Sequence, residues 1–515
     1  MTRLSLCGWT RAHPDASAAR RDHEDVPLST HLLPEGPPAS QGVDARGVHA
    51  FLDAVEQAPE IEPHSLMIIR HGRLVASGWW APYSPDRLHL LYSLSKSFTS
   101  TAAGFAVAEG LVRLDDPVIS YFPEFESDIT SPRSRSMLVR HIAAMASGHE
   151  EETLQRAIEA DPDEIVRGFL LVPPDRDPGT VFAYNQPATY TLGTIVQKVT
   201  GQSLTDYLRP RLFEPLGIGE VAWHQSPAGR DLGFSGLHAT TDAIARLGLL
   251  YLQEGSWEGK QLLPATWVAE ATRSHVSNAD GTPEGANSDW QQGYGFQFWM
   301  SRHGFRGDGA YGQFCVVLPE HDAVIAMTAA TVEMQALLDA MWDNLLPAFG
   351  TGPLDGREDD DAALAERLSR LALSPALGEP APPTDPASWS GAEFTPAGGA
   401  CADQSSLTGV AVAPAEDGGW AISLTDGGER LELRLDGKGS SGWTVDSGGD
   451  AAAAVPTAVS GGWADQDTLA FDVVFLETPH RLAVSCSLAD RTFTARWRTV
   501  PLHGGPLRSM CAPRR

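Results

Sequence analysis

Lysine is scarce in this 515-residue chain: of 38 basic residues only four, Lys96, Lys198, Lys260 and Lys438, are not arginine. Cysteine is sparse as well. Cys7, Cys315, Cys401, Cys486 and Cys511 are scattered and form no Cys-x-x-Cys pair. Such an odd, thin set excludes a disulfide framework and suits reduced thiols in a cytoplasmic protein. No run approaches the ~18 uninterrupted apolar residues of a membrane-spanning helix, and residues 1–26 offer no apolar core for a signal peptide. Positive charge is short overall. The 38 basic residues face 66 acidic ones, a net charge of −28. That balance repels nucleic acid and anionic membrane surfaces, so neither is an expected partner, and it favours solubility. No metal-ligand spacing is seen, so neither a metal nor an organic cofactor is expected. The sequence leaves open whether copies of the chain associate.

The rest of the composition is that of a globular protein, with 42% hydrophobic and 20% charged residues. At this length more than one domain is expected. Residues 1–40 read as an aperiodic leader. Asp44 is a candidate N-cap, and Val48, Phe51, Leu52 and Val55 follow at helical spacing. Ser65–Arg70 and Leu74–Trp80 read as a hairpin about His71-Gly72-Arg73. A helix is predicted from Ser93 to Glu109, with Gly110 as its stop. Further helices fit Met137–Ala146, Thr189–Thr200, Thr240–Gln253, Pro264–Thr272 and Met334–Leu346. Strands fit Gly293–Ser301, Tyr311–Leu318 and Ala323–Thr328. This order predicts an α+β (α/β) domain over 41–350: a five-stranded antiparallel sheet flanked by first and last helices, with an inserted all-helical lobe. A charged helix within Asp359–Leu373 and a Pro-rich linker fill 351–387. Residues 388–515 read as an all-β barrel or sandwich, with short strands such as Trp420–Leu424, Leu431–Leu435, Leu469–Leu476, Leu482–Leu488 and Phe493–Thr499.

The chemistry centres on Ser93 and Lys96. Three residues apart at the start of a helix, they share one face. A serine hydroxyl attacks only when a base takes its proton, and a buried lysine can be that base where arginine cannot. A lysine at this spot in so arginine-biased a chain points to a task that requires losing a proton. A serine at a helix N-terminus also offers its backbone N–H to an oxyanion. The rival reading of the pair alone is a capping serine beside a solvated lysine.

From about Gly42 to Gly350, three-fifths of the chain, the sequence resembles the serine β-lactamase and penicillin-binding-protein superfamily, specifically its class C-like branch with esterases and D-amino-acid peptidases. Ser93-x-x-Lys96 matches the first motif. Tyr184-Asn185-Gln186 falls where Tyr-x-Asn is usual, with Gln186 at the Asn position. Arg306-Gly307-Asp308-Gly309-Ala310-Tyr311 occupies the third motif and puts Gly307 where a basic residue is usual; His303 and Arg306 are the nearby cations. The resemblance implies a β-lactamase/transpeptidase-like fold. It assigns Ser93 as nucleophile, Lys96 as base, Tyr184 as proton shuttle and the Ala310 N–H as partner of the Ser93 N–H in an oxyanion hole. Gln186, Asn185, Gly309, Tyr92, Trp80 and Tyr311 are then candidates for contacting substrate. The implied reaction is hydrolysis of a small ester or amide through an acyl-enzyme on Ser93. Two rivals stay open: β-lactamase or D-alanyl peptidase activity, and a non-catalytic binding protein on the same fold.

Overall fold

The computed structural model describes residues 32–383, 385–399, 401–416, 418–436, 442–446 and 455–513. Most of the leader expected over 1–40 lies outside them, as do Cys7 and Lys438. The described residues divide into two compact units, one of 32–78 with 91–370 and one of 79–90 with 371–513.

In the first unit, α1 (Ala45–Gln57) starts at Asp44, whose side chain accepts from the Arg46 N–H, and buries Val48, Phe51, Leu52 and Val55. The hairpin forms as β1 (Glu62–Arg70) and β2 (Arg73–Trp79), with His71 and Gly72 left-handed at the turn. The Ser93 segment is a short 3-10 turn, Tyr92–Leu94, running into α2 (Ser95–Ala108). The lobe contributes α3 (Gln186–Thr200), and α4 (Thr241–Leu252) packs on the central strands. The sheet closes with β3 (Trp299–Met300), β4 (Phe305–Gly309), β5 (Gln313–Leu318) and β6 (Ala323–Ala330); α5 (Met334–Asn344) and α6 (Glu358–Leu368) follow.

The sheet has six strands, in the order β2-β1-β6-β5-β4-β3, rather than the expected five. The sixth strand is β4, and the bounds of two expected strands also change. The strand expected over Gly293–Ser301 shrinks to two residues, because Gly293 (φ 105°) and Gln297 (φ 64°) turn the chain. The strand expected over Tyr311–Leu318 starts at Gln313, and β4 is a strand that none of the expected ones covers. Tyr311 (φ 69°) and Gly312 (φ 91°) make a tight turn between β4 and β5. β4 itself is Phe-Arg-Gly-Asp-Gly, poor in strand formers. Its backbone pairs with β5, and its Arg306 and Asp308 neutralise each other in the interior. Strand β1 is buried along its whole length, as a strand covered on both faces must be. Gly248 lets α4 approach the sheet; a Cβ there would lie 2.5 Å from Val324 Cγ1. At the other edge, Pro34–Gly36 lies along β2, with Leu74 N–H donating to the Pro34 carbonyl (2.8 Å) and Gly36 N–H to the Leu74 carbonyl (3.1 Å).

The second unit is built on nine strands: β7 (Ala392–Pro396), β8 (Leu407–Pro414), β9 (Trp420–Asp426), β10 (Glu429–Leu435), β11 (Thr444–Asp446), β12 (Thr457–Trp463), β13 (Thr468–Phe475), β14 (His480–Ser487) and β15 (Thr492–Trp497). The order is β10-β9-β8-β7-β15-β14-β13-β12-β11, antiparallel except for the β7–β15 pair. The strands at the two ends of this order approach each other, which closes the sheet toward a barrel. Alternating inward residues of the strands, Trp420 and Trp463 among them, fill the interior together with Trp389, which precedes β7. No helix among the described residues is long and apolar enough to cross a membrane.

Candidate active site

Ser93 sits where the chain is forced. Tyr92, just before it, has φ 48°, a strained setting for a bulky residue. Ser95 holds that turn, its hydroxyl donating to the Tyr92 carbonyl (2.6 Å) and accepting from the Leu237 N–H (3.0 Å). One turn on, Lys96 is 1% exposed. Its Nζ meets three oxygens: Gln186 Oε1 at 2.6 Å, the Phe234 carbonyl at 2.8 Å and Ser93 Oγ at 3.0 Å. Burial pulls the amine down to about 7, with Glu152 and Asp308 opposing that pull. Two of the three oxygens can only accept. A neutral amine therefore gives its two hydrogens to Gln186 and Phe234, and its lone pair is left facing the Ser93 hydroxyl.

Tyr184 completes the cluster. Its hydroxyl lies near Ser93 and the Trp299 indole, both of which favour its ionised form, and Lys96 Nζ lies 4.7 Å from its ring centroid. Burial pushes the phenol up, so it stays protonated near neutral pH. Its ring stacks on Trp299 (centroids 5.1 Å) and meets Tyr294 edge-on (6.1 Å), an aromatic wall in the Lys96 cluster. Ala310 follows β4 directly. Gly309 lets that strand close on the Ser93 turn: a Cβ there would fall 2.1 Å from the Leu91 carbonyl oxygen. The ring contact of Tyr311 with Tyr92 joins the same two segments.

Two candidates are not among these contacts. Asn185 is wholly buried and its Oδ1 accepts from the Thr153 N–H (3.2 Å) and hydroxyl (2.9 Å), so the amide at Lys96 is that of Gln186 alone. Trp80 belongs to the β-rich unit and is 1% exposed. Neither nearby cation replaces the basic residue that Gly307 lacks. Arg306 is wholly buried and donates to Asp308 Oδ2 (2.8 Å), the Asp289 carbonyl (2.8 Å) and Ser301 Oγ (2.6 Å). The His303 ring packs on Trp342. Gly307 is itself constrained: a Cβ would lie 2.3 Å from Leu94 Cδ1 and 2.8 Å from Ser97 Oγ.

The sequence reading missed two parts of the site. The Phe234 carbonyl is a backbone group in a turn between Gly233 (φ 69°) and Gly236 (φ 84°), and that glycine spacing is its only trace in the sequence. Glu152 ends the run Glu150-Glu151-Glu152, which resembles a solvated charge cluster. In the structure its Oε1 accepts from the Leu154 N–H (3.0 Å) and the Gln186 N–H (3.2 Å). Burial pushes its carboxyl up, against those hydrogen bonds and the Lys96 charge. Among the described residues no group of three or more His, Cys, Asp and Glu side chains is placed to hold a metal ion.

The family model described as Beta-lactamase matches residues 51–348. The chain is 26% identical over 291 residues to the 6-aminohexanoate-dimer hydrolase of Paenarthrobacter ureafaciens, covering 53% of this chain and 74% of that protein. It is 26% identical over 331 residues to penicillin-binding protein 4 of Amycolatopsis lactamdurans, covering 55% and 84%. A solved Bacillus anthracis structure, a candidate 6-aminohexanoate-dimer hydrolase, aligns with TM-score 0.50 and 20% identity over 61% of this chain and 86% of that one, a likeness of fold. With the family match spanning well over half its length, the chain belongs to the Beta-lactamase family of serine hydrolases.

Proposed function

We propose that this protein hydrolyses a small-molecule ester or amide through an acyl-enzyme on Ser93. The observation that carries this reading is the placement of Lys96 Nζ, buried, drawn down to about 7, and 3.0 Å from Ser93 Oγ. Lys96 takes the hydroxyl proton as Ser93 Oγ bonds to the carbonyl carbon. The N–H groups of Ser93 and Ala310 face the resulting oxyanion. As the tetrahedral centre collapses, the bond to the leaving group breaks and that group takes a proton relayed through the Tyr184 hydroxyl. Water then attacks the acyl carbon, gives its proton back through the same relay, and releases the acid and free Ser93.

An ester or amide without a carboxylate anchor fits better than a penicillin. Position 307 carries no cation and Arg306 is sealed in the interior. A cytoplasmic location is part of the reading, supported by free thiols at Cys315, Cys401, Cys486 and Cys511; cell fractionation tests it. Nucleic acid and membranes are not expected partners. The activity is tested by intact-mass measurement after fluorophosphonate treatment, followed by an ester, amide and nitrocefin panel. One adduct on the native protein, absent from Ser93→Ala, supports the mechanism. Equal labelling of both removes Ser93 from it. A folded protein that takes no label at all is a binding protein on this fold.

A further inference from the structure

Beside the catalytic cluster stand two carboxyl groups, those of Asp308 and Glu152. Asp308 is neutralised by Arg306, while Glu152 makes no ion pair among the described residues, and Lys96 is the cation whose charge acts on it most. It is also held in place. Thr153, its neighbour, is bonded to Asn185, and its own Oε1 takes the Gln186 N–H at the start of α3. Gln186 in turn reaches Lys96. The carboxylate is thus fixed one residue contact away from the base, and it keeps partial exposure. A charge held there at a cost in desolvation is stabilised by a ligand that brings the opposite charge.

We propose that Glu152 is a specificity-determining residue that binds an ammonium group on the substrate, so that the preferred substrates are esters or amides of amine-bearing acids. The inference rests on Ser93 being the nucleophile and adds the sign of the substrate's charge. A carboxylate-bearing substrate meets repulsion from Glu152 and finds no free cation at Gly307. An ammonium donates to the oxygen not engaged by the Gln186 N–H. This places the recognition element on the loop before α3, at the opposite end of the site from the third motif.

The test compares p-nitrophenyl esters of glycine, β-alanine and 6-aminohexanoic acid with their isosteres in which a methyl replaces the ammonium: propanoate, butanoate and heptanoate. The readout is the ratio of kcat/KM within each pair, for the native protein and for Glu152→Gln and Glu152→Asp. The glutamine retains an oxygen for the Leu154 and Gln186 N–H groups. Expected is a preference of about tenfold or more for the ammonium ester in at least one pair, expressed in KM. Glu152→Gln should bring it close to one and Glu152→Asp should restore part of it. A merely structural role would lower both members of a pair alike. A native ratio of one or below in every pair, or a ratio equal in native and Glu152→Gln proteins, overturns the proposal while leaving Ser93 chemistry standing. Hydrolysis of neither ester by folded protein, together with no fluorophosphonate adduct, overturns the parent reading and this one with it.

Discussion

The rings of Tyr92 and Tyr311 meet edge to face with centroids 5.6 Å apart, and both residues hold a left-handed backbone, φ 48° and 69°. Each is the immediate neighbour of a proposed oxyanion donor, Ser93 on one side and Ala310 on the other. Left-handed backbone at a non-glycine residue costs about 1–2 kcal/mol and persists only where the surroundings over-determine it. Here the ring contact is part of what does so. Tyr311→Gly and Tyr311→Ala both lose the ring, but only the alanine keeps the strain. The glycine variant is therefore expected to be the more stable by about 1 kcal/mol, read as the difference in urea midpoints. A more stable alanine variant would show that this backbone is not strained.

Lys96 fixes the pH profile. Its amine is drawn down to about 7, whereas the Tyr184 phenol is pushed up. Activity is expected to rise along one acid limb with a midpoint near 7 as Lys96 loses its proton, and to show no descending limb from Tyr184 near neutrality. Lys96→Arg should lower kcat/KM by about a thousandfold or more, since general-base transfer contributes about 10²–10⁴ and arginine does not deprotonate. The same shift bears on stability. The folded lysine sheds its proton below the unfolded value of 10.5, so the unfolded chain binds more protons between about 7 and 10.5. Stability from this group therefore increases with pH across that window.

Gln186 tunes that limb. Its Oε1 lies 2.6 Å from Lys96 Nζ. Gln186→Glu places a carboxylate at this distance and favours the ammonium, so the acid limb should move up. Gln186→Ala removes an acceptor from the ammonium and should move it down. Both variants are expected to lose rate, and the opposite directions of the two shifts in kcat/KM against pH are the check.

Restoring the family's usual cation should fail. In Gly307→Lys the new Cβ would press on Leu94 and Ser97 of the nucleophile segment. Overpacking of this kind costs about 1–3 kcal/mol. The variant is expected to melt below the native protein and to gain no nitrocefin turnover. Gain of turnover at native stability would show that the strand has room to spare.

Asp289 is a buried hub, wholly unexposed, whose Oδ2 takes Gln335 Nε2 (2.8 Å), Trp342 Nε1 (2.9 Å) and the Arg302 guanidinium (2.8 and 3.0 Å). Burial alone would raise its carboxyl, but Arg302, Gln335 and Trp342 hold it below the ordinary 3.8. A depressed folded value means its stabilisation is present above about 4 and is lost as pH falls through the folded value. Asp289→Ala strands the buried donors and should cost about 3–5 kcal/mol, measured by denaturant unfolding at neutral pH.

What the sequence made legible follows from periodicity and short range. Ser93 and Lys96 were readable because one helical turn fixes their relation before any tertiary contact forms. The hairpin β1–β2, α1, α4 and α5 were readable from apolar spacing and caps. Strand β4 was not, because Phe-Arg-Gly-Asp-Gly has no strand pattern: its two glycines exist for close approach to Leu91 and Leu94, and its two charges exist for each other. Glu152 was hidden for the opposite reason. It looks like its neighbours Glu150 and Glu151, and only the contact with Gln186, 34 positions away, separates it from them. In the β-rich unit, β7, β8, β11 and β12 were not among the strands that the pattern singled out.

The strap of Pro34–Gly36 along β2 has a bearing on how the molecule behaves at high concentration. An open sheet edge invites the strand of another copy, and this one is partly occupied by a segment whose prolines 34, 37 and 38 have no N–H to extend the ladder. At the far edge β3 offers only Trp299 and Met300. A six-stranded sheet finished this way offers another copy only a short run of free backbone at either end, so pairing of copies through this sheet is disfavoured.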